Sequence, residues 1–210
     1  MQELDEAGRI EIEASLGEPG DWKERRLEEM LKEISGMNFS DIAEGIGAAT
    51  VDDVMKIKYM DREVQVSHSG FKDEMDIWDK LLITMYIKQA GKASLSHKWT
   101  AFRELKDGLI RAESFKGACE LSLARMFEHN KEGLINRLVE IGAEKVSGES
   151  TEYSFVVYPL PKIPFLVLLW PGDEEFGAEC KVLFDSTVTE FLDVEALLYL
   201  GMTLVRVVKG

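Results

Sequence analysis

Cysteine is scarce in this chain. Cys119 and Cys180 stand far apart, with no CxxC pair and no Cys/His cluster. That usage excludes a disulfide scaffold, a zinc finger or a complete iron–sulfur site built by this chain alone. Both thiols fall in apolar patterns, Cys119 on a helix and Cys180 on a strand, so they are expected to be reduced and unreactive. Long hydrophobic runs are missing too. The longest, FLVLLW at 165–170, is far short of the roughly 20 apolar residues that cross a bilayer. There is no basic segment followed by an apolar stretch at the start, so no signal peptide is expected and the location is expected to be cytoplasmic. Basic residues are outnumbered: 25 lysines and arginines face 39 aspartates and glutamates, a formal charge of −14. Such a field repels phosphate backbones and anionic lipid, which argues against nucleic acid and membrane as partners. It suits a basic partner or a cation, and solubility alone explains it equally well. The nucleotide loops GxGxxG and GxxxxGK[ST], the nucleophile elbow GxSxG and the metal helix HExxH are all absent.

What is there reads as one α+β domain, a mostly antiparallel sheet flanked by helices. Its 210 residues suffice for a single packed core without a staple. Residues 1–21 hold seven acids against Arg9 and end in the turn signal GEPGD, which predicts an acidic N-terminal arm before a domain over 22–210. Helical spacing of Leu27, Met30, Leu31 and Ile34 predicts a helix from Trp22, and a short helix follows over 39–45, capped by Ser40 or Asp41. Alternation on either side of Asp61-Arg62 predicts a β-hairpin. Trp78, Leu81, Leu82, Met85 and Tyr86 form an i, i+3, i+4 stripe, with Asp73 as the expected cap and Gly91 as the stop. Two further helices are expected over 117–128 and 132–141. Strands are expected over 153–158, 165–170 and 178–184. The middle one is apolar on both faces, so it belongs inside the sheet, with the helix at 75–90 as one cover. Asp193 caps a short helix to about Leu200, and Gly201 precedes a β-branched tail.

The order of segments carries a resemblance. DIWDKLLITMYIKQAGKA, HKWTAFREL, LVEIGAEK and LPKIPFLVLLWPGDEEFGAECKVLFD occur in that order over about residues 50–200. The specific parts are WxxFREL at 99–105, LPKIP at 160–164, WxGDEEF at 170–176 and LFD at 183–185. In these the chain resembles domain-of-unknown-function family 3786 of anaerobic bacteria and archaea, some members of which carry a four-cysteine iron–sulfur module of the kind seen in corrinoid proteins. The resemblance implies an accessory or ligand-binding role in anaerobic redox or corrinoid-related metabolism, beside an iron–sulfur or corrinoid protein. It implies a corrinoid or other tetrapyrrole as cofactor, bound here or supplied by that partner. It brings no catalytic residues with it, and no iron–sulfur cluster is expected in this chain, which lacks the cysteine module.

The residues themselves leave several chemistries open. Asp173, Glu174 and Glu175 share one connector, where adjacent carboxylates can hold a hard cation or raise each other's pKa, or simply face water. Arg103, flanked by Trp99, Phe102 and Glu104, can clamp an anion in a fork. Alternatively it pairs internally with Asp173, Glu174, Glu175 or Asp185, latching the two motifs together. In a shared pocket, Trp170 and its connector form one wall and WxxFREL the other. Of the histidines 68, 97 and 129, His97 is the strongest ligand or base candidate because it adjoins Trp99, although a surface histidine is the commoner case. His68-Ser69-Gly70 lacks the DxHxxG order used by corrinoid-binding domains. The ligand-binding candidates are therefore His97, Trp99, Phe102, Arg103, Glu104, Trp170, Asp173, Glu174, Glu175 and Asp185. Two alternatives to the accessory role remain. One is an enzyme using Asp173, Glu175 or His97 as acid or base on an anionic substrate, and the other is a structural interaction domain.

Overall fold

The expected hairpin forms, and it belongs to a sheet of its own. The computed structural model describes residues 22–89 and 93–210; the predicted arm over 1–21 and the stop at Gly91 lie outside them. Helices α1 (Trp22–Ser35) and α2 (Phe39–Ile46) lead into an antiparallel meander of β1 (Ala49–Val51), β2 (Val54–Tyr59), β3 (Arg62–Ser67) and β4 (Gly70–Phe71). Met55 pairs with Val66 and Ile57 with Val64, so one face is fully apolar while Lys58 and Glu63 stay outside. This is the strict two-residue period at work. The cap of α2 is Asn38, whose side chain accepts from Ser40 N–H, rather than Ser40 or Asp41.

Helix α3 (Ile77–Gln89) starts at Asp76, whose carboxylate accepts from Trp78 N–H at 2.9 Å. Asp73, the expected cap, instead takes the backbone N–H of Gln65. Trp78 packs against Trp22 of α1 and against Tyr199. The second sheet holds β5 (Trp99–Ala101), β6 (Glu144–Lys145), β7 (Tyr153–Leu160), β8 (Ile163–Trp170) and β9 (Glu179–Asp185) in the order β5-β9-β8-β7-β6, all antiparallel. As expected, β8 is central and buried from Ile163 to Leu169. Its helical neighbour is α5 (Leu121–His129), whereas α3 lies chiefly on α1. Pro161-Lys162 form the tight turn between β7 and β8, and the register slips between Val157 and Leu160, where Pro159 on β7 and Pro164 on β8 both lack an N–H for the ladder. Tyr86 of α3 clasps that turn: its hydroxyl accepts from Lys162 N–H and donates to the Ile46 carbonyl.

Before α5, the chain forms α4 (Ala112–Phe115) and a π-helical turn over Lys116–Glu120. The wider turn brings Glu120 against β9, where its buried carboxylate accepts from Val182 N–H at 3.1 Å. Strand β5 pairs only as far as Leu183, so Glu120 satisfies the next donor along that edge. After α6 (Lys131–Glu140) and the sheet, α7 runs unbroken over Val194–Lys209 from the predicted cap Asp193. The expected β-branched tail is thus helical. Its apolar face is buried against the core, and that burial outweighs the weak helix propensity of valine and threonine.

Gly201, read from sequence as a helix end, is the point where α7 touches the π turn. A Cβ there would lie 2.7 Å from the Phe115 ring and 2.8 Å from the Cys119 sulfur. Phe115 is wedged against Phe102 and Phe184 and cannot withdraw. Gly201→Ala should therefore destabilise the protein by about 1–3 kcal/mol, although alanine is the better helix former. A rise in the urea midpoint on this change would refute the close-approach account.

Candidate functional site

The residues singled out by motif do not share one site. Trp99 pairs with Asp185 at one end of β9, and Trp170 pairs with Glu179 at the other. At about 3.4 Å per residue those ends are roughly 20 Å apart. The acidic connector is a solvated loop that closes on itself: Asp173 accepts from Glu175 and Phe176 N–H, both at 2.8 Å, while Glu174 and Glu175 are exposed. Those two bonds lower the Asp173 pKa. At the far end, Phe102 is buried in an aromatic cluster with Phe115 and Phe184. Glu104 folds back onto Thr100 Oγ1 and Ala101 N–H.

Arg103 corrects the latch. It is exposed and forms no ion pair with any described residue. The 3-10 turn over Phe102–Glu104 has about three residues per turn and sends only Phe102 inward. Asp185, a proposed partner, is already taken. Its carboxylate is 2% exposed and accepts the N–H groups of Ser96, His97 and Thr187 and the hydroxyls of Ser96 and Thr187, at 2.6–3.0 Å. Burial pushes its pKa up, but these bonds more than offset that and set it at about 2. His97 contributes its backbone N–H to this cage from a left-handed conformation, φ 56°, with its side chain exposed. The LFD motif is accounted for structurally, because Asp185 ties down the segment leading into β5. Cys119 and Cys180 are both free and buried, and desolvation raises both pKa values.

A third buried carboxylate opens on a cleft. Asp79, in the first turn of α3, is 4% exposed. The Tyr59 hydroxyl donates to its Oδ1 at 2.8 Å, and Nη2 of Arg206 reaches both oxygens, at 3.0 and 2.8 Å. Tyr59 ends β2 and Arg206 lies near the end of α7, so the triad joins the first sheet to two helices. Buried Thr203, one turn before Arg206, lies beside the Tyr59 and Tyr199 hydroxyls. Burial, then the charge of Asp79, hold both phenols well above their usual range, so each stays protonated. Burial works against the Arg206 charge, but Asp79 prevails and raises its pKa. The triad borders a cleft of about 260 Å³, lined also by Asp61 of the β2–β3 turn and by Arg62, the first residue of β3.

Chemically this is an arrangement that holds rather than attacks. Tyr59 is a neutral donor and both Asp79 oxygens are occupied, so neither is poised as nucleophile or base. Sequence reasoning passed over all of these residues. Two signals were available: an aspartate beside Trp78 within an apolar stripe, and an arginine inside TLVRVV. Once the tail is helical, Tyr199, Thr203 and Arg206 fall at i, i+4 and i+7 on one face.

With this fold the chain is an α+β protein of two antiparallel sheets wrapped by helices. It belongs to the DUF3786 family, a domain of unknown function, whose model matches residues 38–207. No curated protein and no solved structure matches it.

Proposed function

We infer that the protein is a non-catalytic accessory module that binds a small polar ligand in the cleft beside Tyr59, Asp79 and Arg206. The observation that carries this reading is a buried carboxylate, Asp79, held by the Tyr59 hydroxyl and by one nitrogen of the half-exposed Arg206 at the wall of an open cleft. An ion pair with one partner buried adds little to stability over apolar packing, so one that borders a cavity suggests recognition. At about 260 Å³ the cleft is below the roughly 300–1,000 Å³ of pockets for drug-sized ligands. A tetrapyrrole is larger still. Within this reading, any corrinoid is carried by an iron–sulfur or corrinoid partner in the cytoplasm, as the family resemblance suggests.

Amide chemical-shift mapping with a panel of small acids, amines, amino acids and sugars tests the reading. Perturbations should gather at Tyr59, Arg62, Thr203 and Arg206, and Arg206→Met should abolish them. Perturbations confined to the 170–176 connector, or none, would overturn it. Retention of a corrinoid by the chain alone in equilibrium dialysis would overturn the size argument.

A further inference from the structure

Resting on that reading, we propose that the ligand is a small zwitterion, an amino-acid-like molecule whose carboxylate meets Arg206 and Arg62 and whose ammonium meets Asp61. The cleft borders two acids, Asp61 and Asp79, and two bases, Arg62 and Arg206, so its formal charge is zero within a chain of −14. The long-range field of that chain disfavours a free anion, while a simple cation would make no use of either guanidinium. A ligand bearing both charges avoids each penalty.

The donors are available. Arg206 spends only Nη2 on Asp79; no described residue bonds its Nε or Nη1, and the side chain is 43% exposed. Asp61 and Arg62 are exposed and pair with no described residue. Their turn is nonetheless fixed. Met60 is 2% exposed, takes a left-handed φ of 53°, and donates its N–H to the Pro159 carbonyl at 2.9 Å. Holding a non-glycine residue in that conformation requires surrounding structure to impose it. The two rim charges are therefore carried on an anchored turn, which reduces the ordering cost of binding.

The test uses the whole chain and ω-amino acids of increasing length, from glycine to 4-aminobutyrate, against propionate and propylamine. One zwitterion should bind roughly tenfold or more tighter than either single-charge probe, as expected for one added bond to a charged group. Asp61→Asn should erase that advantage while leaving propionate unchanged, and Arg62→Gln should weaken propionate and zwitterion together. Both positions are exposed, so the fold tolerates the changes. Propionate binding as tightly as every zwitterion, or Asp61→Asn without effect, overturns the inference while the cleft reading stands. If no probe perturbs the cleft, both fall.

Discussion

Replacing Arg206 by methionine is expected to lower the free energy of unfolding by about 3 kcal/mol, more than replacing Asp79 by leucine. The asymmetry follows from where the two charges sit. The Asp79 side chain is 6% exposed and that of Arg206 is 43% exposed. Without Arg206 the carboxylate stays largely buried, with the Tyr59 hydroxyl as its one remaining side-chain hydrogen-bond donor among the described residues. Without Asp79 the guanidinium turns outward, and the remaining cost is the Tyr59 hydroxyl, a neutral group that keeps Thr203 beside it and so costs less than the about 1–3 kcal/mol of an unsatisfied buried donor. The Asp79→Leu/Arg206→Met double variant should be more stable than Arg206→Met alone, because no stranded charge is left. Urea unfolding of the three variants measures this cycle. A larger loss for Asp79→Leu than for Arg206→Met would mean that the carboxylate is better solvated than its burial implies.

The parts of the fold legible in the sequence were those set by one local period. The β2–β3 hairpin and the central β8 followed from alternation and from an unbroken apolar run, and α1 and α3 from helical stripes. Where two causes competed, the local one misled. Valine and threonine after Gly201 favour strand, yet that segment buries its apolar face as helix. The glycine that resembled a stop is a contact point against Phe115. The π turn before α5 has no sequence period of its own, so Glu120 could not be placed on the edge of β9. The Arg103 latch failed because aromatic neighbours in sequence do not bury a residue when a three-residue turn sends it the other way. The site was least legible of all. Tyr59, Asp79 and Arg206 come from three distant segments, and only the paths of β2, α3 and α7 bring them together. Asp79 and Arg206 had each left a trace as a charged residue in an apolar pattern, whereas Tyr59 sits where the β2 alternation wants an apolar side chain, and the partner of each is set by topology alone.

Asp185 supplies the pH dependence. Its pKa of about 2 in the folded state lies below the ordinary aspartate value of about 3.9 in an unfolded chain. The folded protein therefore holds fewer protons at this group than the unfolded one. The stabilisation is complete above the unfolded value and is lost as the pH falls from about 4 toward 2. Its size is about 2–3 kcal/mol, from just under two pKa units at roughly 1.4 kcal/mol each. Asp185→Asn keeps the shape but presents an amide where Ser96, His97 and Thr187 need acceptors, so it imitates the protonated carboxyl. At pH 7 the variant should be less stable than the parent by about 2–3 kcal/mol, and the gap should close as the pH approaches 2. Taking the difference between the two proteins removes the contribution of the other carboxylates, which titrate alike in both. Urea midpoints between pH 2 and 7 provide the comparison. A gap that stays constant over that range would show that the loss in the variant comes from packing of the amide, and not from the charge that anchors residues 96 and 97 to the end of β9.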